Sequence, residues 1–331
     1  MRRSTKTGRI STAINYITQF FTAHFACRIS VAITAFMQLP AFFASCAAEG
    51  IDPGVTVRIV RSQSWSNGAA DVFVFDNQSP FLLDSYQQFL AGDGPLYVSS
   101  GTGEKRIVVL SAREGDLYSR SGIQRYQDLC RESFSIMDDN PASPFFYGEA
   151  TVGEGSSRAA TLNVSPIMSS IRVRSVSCNY SGRPYEGMFF HNDRLFLINV
   201  VSEFCPLVAE GGRPVSWLNY GSLTDIIPVI VTEGWGNIGP ERVHPDVTLY
   251  CYPNPQGSPP TRLVLEGNVG DAKCYYPIDI NVPEGGMRYV LDITISRMGT
   301  PDPDSVAVPG TYTVEYETVP WYEKEPVTED F

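Results

Sequence analysis

Few side chains in this 331-residue chain have the types and spacing that catalysis requires. Beyond the first 45 residues the histidines are His191 and His244. Neither lies in an HExxH pattern, and no GxSxG nucleophile elbow accompanies them. We expect both histidines to lie in solvated loops, and we expect the protein not to be an enzyme.

Two further groups of residues could bind a phosphate or a metal. The segment from Gly101 to Lys105 has the composition of a phosphate loop but not the GxxxxGK[ST] spacing, so it predicts a turn. Acidic pairs at Asp302 and Asp304, and at positions 138 and 139, could attract calcium. Neither pair has the spacing of a twelve-residue calcium loop, and turn-forming acids are the simpler interpretation. We therefore predict no metal site and no cofactor.

Five cysteines follow the N-terminal segment, without the CxxC spacing that would predict a zinc site. In an exported protein Cys178 could pair with Cys205, and Cys251 with Cys274, because each couple flanks adjacent predicted strands. Cys130 would then be free. Separate buried thiols are the alternative, since spacing alone does not determine connectivity.

Aromatic residues in the second half suggest a binding alternative. Trp217, Trp235 and the nearby Tyr220 could form a platform that stacks against sugar rings. Anchoring of the core or of loops is the competing interpretation, because large aromatic side chains mainly bury area.

The N-terminus has the pattern of an export signal. Five basic residues and no acidic residue precede Glu49, and an apolar stretch from Ile29 to Ser45 is too short to cross a bilayer. It ends in small residues followed by Cys46, the pattern of a lipoprotein signal in which the cysteine is acylated, for example with palmitate. Residues 1–45 are then the signal peptide. Ordinary cleavage near Ala47, which would remove Cys46, is the alternative.

Charge limits the possible partners. Removal of the five basic residues of the signal would change the formal net charge from −11 to −16. Such an acidic chain is a poor match for nucleic acid, so we predict no nucleic-acid partner.

Many short alternating runs predict an all-β fold. Tyr289 to Ser296 and Thr311 to Glu317 alternate apolar and polar residues on either side of a turn, which predicts a closing hairpin of an antiparallel sheet with Tyr312, Val314 and Tyr316 facing inward. Similar runs, separated by turns, indicate two β-sandwich domains, at 46–165 and 166–331. The sequence also predicts strands at Val55–Val60, 72–75, 82–90, 106–110, 160–164 and 171–178, the last with a bulge before Val176. A further strand is predicted at Leu195–Val201 and is expected to be buried on both faces. The region around Trp217 and Trp235 is predicted to be a loop-rich insert.

One short helix is predicted near residue 121. Ser121 could cap its first turn, with Gln124 in a capping-box relation. The residues expected to share its buried face are Ile123, Tyr126, Gln127 and Cys130.

The combination of these features resembles the Bacteroidales fimbrillin and fimbrial-anchor superfamily, the type V pilus proteins. The resemblance rests on three segments of the mature chain, in this order: Asp71–Asp76 with Leu83–Tyr86, Leu195–Val200 before Cys205, and Arg288–Ile295 leading to Gly299–Asp304 and Pro320-Trp321. It implies two tandem transthyretin-like Greek-key sandwiches, export as a lipoprotein and a place at the outer membrane or in a surface fimbrium. Other fimbrial subunits would be its partners.

The resemblance also implies assembly by β-strand donation. Cleavage after an arginine removes the first strand of a stalk subunit, and the tail of a neighbour fills the groove. Here the removable strand would be Val55–Val60, Arg61 the cleavage site, and Tyr322–Phe331 the donor tail. The apolar side chains of this tail are Val327 and Phe331, beside Trp321, among four acids. Anchor, stalk and tip roles stay open, as does a glycan-binding surface lipoprotein that recognises host or bacterial glycans on the same fold.

Overall fold

The computed structural model describes residues 57–59, 69–90, 96–112, 122–154, 160–207 and 212–321. Within these ranges the regular secondary structure consists of β-strands and one short helix, and the sheets form a β-sandwich fold. The predicted fold class is therefore confirmed. None of the described helical segments is long and apolar enough to cross a membrane. The signal segment, Cys46, Arg61 and the tail from Tyr322 lie outside the described residues, so the predictions for them stay predictions.

The first half of the described chain is built around one antiparallel sheet of five strands, in the order β3-β2-β5-β7-β8. The strands of this half are β1 (Val57–Ile59), β2 (Ala69–Asp76), β3 (Leu83–Leu90), β4 (Leu96–Val98), β5 (Lys105–Ala112), β6 (Phe134–Ser135), β7 (Phe146–Val152) and β8 (Ser165–Pro166). Side chains at successive positions of a strand point to opposite faces. Phe73 and Phe75 lie on one face of β2, Val72 and Val74 lie on the other, and all four are buried. Both faces of this sheet are therefore covered.

The helix is shorter than predicted and begins later. It spans Tyr126–Leu129 (α1), and its N-cap is Arg125. Asp128 in its first turn accepts hydrogen bonds from the backbone N–H groups of Arg125, at 2.9 Å, and Gln124, at 3.2 Å. Because this carboxylate caps the turn, the helix starts after Gln124, and the predicted capping box at Gln124 is wrong. Ser121 lies outside the described residues.

The second half contains two four-stranded sheets, β13-β10-β15-β16 and β14-β9-β17-β18, and a three-stranded sheet, β12-β11-β6. The strands are β9 (Ser169–Cys178), β10 (Phe190–Ile198), β11 (Val200–Cys205), β12 (Arg213–Leu218), β13 (Val231–Ile238), β14 (Val247–Cys251), β15 (Thr261–Val269), β16 (Ala272–Ile280), β17 (Met287–Ile295) and β18 (Tyr312–Pro320). One large apolar core includes side chains of both halves, among them Phe73, Leu110, Ile171 and Leu265. The predicted boundary at 165/166 falls inside β8; the division into two domains stays a prediction.

The closing hairpin is confirmed, but one of its side chains is not oriented as predicted. Ile295 pairs with Tyr312, and Met287 with Pro320, along an unbroken antiparallel ladder. β17 also pairs in parallel with β9, so this sheet is mixed rather than antiparallel. The expected bulge before Val176 is confirmed by a register shift in β9 between residues 173 and 175. Tyr316, expected to face inward, is 71% exposed.

Three other predicted segments differ from the structure. The run Leu195–Val201 is two strands rather than one, because Asn199 adopts a positive φ of 54° and the chain moves from the β10 sheet to the β11 sheet at that point. The insert expected to be loop-rich contains β12, with Trp217, and β13, with Trp235. Residues 160–164 alternate buried and exposed positions as expected, but they form no strand before β8.

Candidate strand-exchange site

The first described strand is held by a short ladder at one side of the fold. Among the described residues β1 pairs only with β4, and the antiparallel register is Val57 opposite Val98, residue 58 opposite Tyr97 and Ile59 opposite Leu96. Strands of three residues make few backbone hydrogen bonds, and an isolated two-stranded ribbon is marginal by itself. The ladder that holds β1 is therefore short.

An apolar cluster lies under β4. Leu96 is 7% exposed and Val98 is fully buried, whereas Tyr97 between them is 59% exposed. The cluster is separate from the main core because the five-stranded sheet lies between them. Its other buried members are Ala70, Val72, Val74, Ile107, Val109, Phe146, Val152, Ala160, Leu162 and Val164. Loss of β1 would leave the backbone edge of β4 unpaired beside this cluster, and such an edge recruits a new strand.

A buried lysine fixes the turn that carries β4 into β5. Lys105 is 2% exposed, and its Nζ lies 2.6 Å from Asp76 Oδ1 and 3.0 Å from Asp84 Oδ2. Asp84 also accepts the backbone N–H of Gly101 at 2.7 Å. Burial lowers the pKa of Lys105, but the hydrogen bonds and charges of the two carboxylates outweigh it and raise the pKa above its usual value. Lys105, Asp76 and Asp84, together called the Lys105 clamp below, join the turn to the β2–β3 hairpin without using β1.

The C-terminal end of the described chain is also fixed. The backbone N–H of Trp321 donates to the Gly286 carbonyl oxygen at 2.8 Å, and its ring centroid lies 5.4 Å from that of Tyr250. The donor tail, with Val327 and Phe331, lies outside the described residues. It therefore starts from an anchored position at the end of β18.

β18 is an edge strand with a groove beside it. In the described part of the chain it pairs only with β17. On the β17 side, the Thr311 carbonyl oxygen accepts from the backbone N–H of Ser296, and the Trp321 N–H donates to the Gly286 carbonyl oxygen. Because backbone groups alternate along a strand, the even-numbered positions direct theirs outward. A groove of about 310 Å³ lies between β18 and β16, lined by Ile278, Asp279, Ile280, Asn281, Tyr289, Leu291, Tyr312, Val314 and Tyr316.

The facing edge, on β16, is blocked. Tyr275 exchanges two backbone hydrogen bonds of 2.8 Å with Thr300, so its outward groups are already paired. Two residues further on, Pro277 has no N–H to offer, and its carbonyl accepts the Tyr312 hydroxyl. β16 therefore cannot extend its ladder as readily as β18 or β4.

Solved structures show which proteins share this architecture. A fimbrillin from Porphyromonas gingivalis matches with a TM-score of 0.57 and 13% identity, over 82% of this chain and 98% of that chain. A proposed cell adhesion protein from Bacteroides eggerthii matches with a TM-score of 0.56 and 16% identity, over 82% and 98%. Another, from Parabacteroides distasonis, gives 0.56 and 12%, over 80% and 99%.

The chain has the fimbrillin fold. No family model matches it, and no curated protein matches it by sequence.

On this fimbrillin fold the predicted turn acids have structural roles. Asp302 accepts the backbone N–H of Asp304 at 2.8 Å, and Asp304 pairs with Arg262 at 2.6 Å. Asp139 is buried and accepts the Phe145 backbone N–H at 2.9 Å. No cluster of metal-ligating side chains occurs among the described residues. Residues 101–104 lie outside the strands, as expected for a turn, and Lys105 begins β5.

The histidines are exposed, as predicted, although one is not in a loop. His191 lies in β10, with Nδ1 3.0 Å from Asn237 Oδ1 and Nε2 3.3 Å from Asp193. His244 is exposed and lies outside the strands. These surroundings are those of surface side chains.

The tryptophans pack inward rather than forming a platform. Trp217 in β12 and Trp235 in β13 are partly buried against the main core, whereas Tyr220 is 69% exposed. The anchoring interpretation therefore describes both indoles. The predicted loop location of both tryptophans is wrong, because each of them lies in a strand.

The cysteines do not form the pairs considered from the sequence. Cys178, Cys205, Cys251 and Cys274 are buried free thiols, and Cys130 is a half-buried free thiol. This agrees with the alternative of separate thiols.

Two parts of the site were missed in the sequence. β4 is only three residues long, but its Leu96-Tyr97-Val98 alternation between two glycine-rich turns was a usable signal. Lys105 was considered only as part of a phosphate loop. Its neighbours Asp76 and Asp84 come from other strands, and nothing in the local sequence joins them to it.

Proposed function

We propose that this chain is a non-catalytic structural or accessory component of a surface fimbria that assembles with other fimbrial subunits by β-strand donation. The observation that carries the proposal is the attachment of β1: a three-residue ladder to β4, above a separate apolar cluster that β4 helps to close. A first strand held in this way can be exchanged without disruption of the main core. The likeness of the fold to a fimbrillin supports the same role.

The clamp around Lys105 adds a physical reason. Strand exchange requires that the acceptor edge keep its shape while the resident strand leaves. β4 is followed by a turn that is fixed through Asp84 and Asp76 to a neighbouring hairpin. The acceptor would therefore be preorganised, which lowers the free-energy cost of binding the incoming strand.

Within a fimbria we favour an anchor or tip role over a stalk role. The tail Tyr322–Phe331 contains four acids and only Val327 and Phe331 as apolar side chains, which makes it a weak donor. A lipid on Cys46 would attach an anchor to the outer membrane. Labelling with a fatty-acid analogue should mark the wild type and not Cys46→Ser, and equal labelling of the two would rule out acylation at this position.

The central test compares two purified chains, one starting at Ala47, which retains β1, and one starting at Ser62, which lacks it. A fluorescent peptide of residues 312–331 is the probe. We expect the shorter chain to bind this peptide, or to oligomerise, and the longer chain to do neither. A peptide carrying Val327→Asp and Phe331→Asp is the matched control and should bind less.

Equal binding by the two chains would contradict the proposed acceptor at β4. The N-terminus of protein extracted from cells then separates the roles. A start at Ser62 indicates cleavage after Arg61 in a stalk or tip subunit, whereas a blocked Cys46 indicates an anchor that retains β1.

A further inference from the structure

Two cysteines that are distant in sequence lie in segments that contact each other in the fold. Cys130 follows α1 directly, and its backbone N–H donates to the Tyr126 carbonyl oxygen at 3.0 Å. Cys205 is the last residue of β11. The first belongs to the segment that packs on the five-stranded sheet, and the second to the three-stranded sheet of the other half.

Contacts on either side of these cysteines hold the two segments together. β6 pairs with β11 through Phe134 opposite Phe204. Cys205 is the residue after Phe204, and Cys130 lies four residues before Phe134. On the other side, the Tyr126 hydroxyl, one turn before Cys130, donates to the Leu207 carbonyl oxygen at 3.4 Å.

The titration behaviour of the thiols agrees with this placement. Burial is the main reason that the pKa of Cys130 is raised, and the Cys205 thiol lies near enough to contribute to the rise. Burial likewise raises the pKa of Cys205. By contrast, Cys251 is fully buried, and burial alone raises its pKa to about 12.

We propose that Cys130 and Cys205 are a disulfide-forming pair that closes when the folded protein meets a disulfide oxidant. Cys130 is half-exposed and Cys205 is 1% exposed, so Cys130 reacts first. Its thiolate attacks a sulfur of the oxidant and releases one thiol. The Cys205 thiolate then attacks the Cys130 sulfur of the mixed disulfide and releases the second thiol. The two cysteines lose two protons and two electrons, and the oxidant disulfide is reduced to two thiols.

The cross-link would join the two halves of the described fold. That it closes in the cell rests on the export proposed above, since disulfides persist in oxidising compartments. Its capacity to close in a purified protein does not depend on export or on fibre formation.

The test treats the folded, reduced protein with glutathione disulfide, alkylates the remaining thiols with iodoacetamide and maps the peptides without reduction. We expect the Cys130 peptide to be joined to the Cys205 peptide, with a loss of about 2 Da, and the melting temperature to rise by about 5 °C or more. Cys130→Ser should lose the link and the shift. Cys251→Ser is the matched control and should retain both.

Several results would overturn the pair. These are alkylation of both cysteines, a glutathione adduct on Cys130 that never resolves, or a link from Cys130 to another cysteine. Recovery of the link, together with equal binding of the residue 312–331 peptide by the chains starting at Ala47 and Ser62, would support the pair and contradict strand exchange, so the two proposals fail separately.

Discussion

Replacement of Lys105 by methionine should destabilise the turn between β4 and β5 and lower the free energy of unfolding of the protein. The ammonium group holds Asp76 at 2.6 Å and Asp84 at 3.0 Å, and its side chain is 3% exposed. Methionine fills much of the same volume but leaves both carboxylates without their cation. Removal of one partner of a buried ion pair costs about 3–5 kcal/mol.

The two acids are not fully buried, and this lowers the expected cost. The Asp84 side chain is 23% exposed and that of Asp76 is 44% exposed, so water replaces part of the lost interaction. We therefore expect Lys105→Met to lower the free energy of unfolding by about 2–3 kcal/mol. This is roughly a 30- to 140-fold change in the folding equilibrium.

Urea unfolding at pH 7 measures this loss, and Lys273→Met is the matched control. Lys273 is also paired with a glutamate, but its side chain is 53% exposed, and Glu266 keeps Arg194 at 2.9 Å. Lys273→Met should lower the free energy of unfolding by about 0–1 kcal/mol. Addition of Asp84→Asn to Lys105→Met should recover part of the stability, because it removes an uncompensated charge. Equal losses for the two lysine variants would refute the clamp.

Two further predictions concern other parts of the fold. The hydrogen bond and charge of Arg174 lower the pKa of Asp292. The wild type should therefore be more stable than Asp292→Asn above about pH 3.8, and the difference should vanish as the pH falls through the lowered pKa of the folded state. Urea unfolding across this pH range measures the difference, and a difference that persists at lower pH would contradict the prediction. Gly299→Ala would push a Cβ into the Tyr275 backbone at the β16 edge and should lower the free energy of unfolding by about 2 kcal/mol or more in thermal unfolding. Gly153→Ala has open space around it and should lower it by less than about 0.5 kcal/mol. Similar losses for the two variants would contradict the close approach of Gly299 to Tyr275.

Local alternation in the sequence predicted the strands whose partners are nearby. The ladder of β17 with β18 needs only a turn between two alternating runs, and the structure contains it. The pairing of β9 with β17 joins segments more than a hundred residues apart, and no local pattern encodes it. The break at Asn199 is a change of one residue's φ inside an apolar run, so periodicity could not reveal it.

The same reasoning explains what was missed at the candidate site. β4 has only three residues, so its alternation is a weak signal, and β12 contains Pro214 and several half-exposed positions that weaken a strand signal. The apolar cluster under β4 combines side chains of five separate segments, β4 included. Only the three-dimensional structure brings them together.

The sheet edges of the fold differ in how readily each could add a strand from another chain. The β16 edge is closed by Thr300 and Pro277. β18 has an open edge, but its exposed face contains Glu315 and Glu317. Two copies of β18 paired edge to edge would bring these acids together, and like charges on paired strands are destabilising. The edge at β4 has no such charges and an apolar cluster beneath it, so strand addition there is favoured over self-pairing at β18. A contact between unlike surfaces can repeat along a fibre without closing into a symmetric dimer.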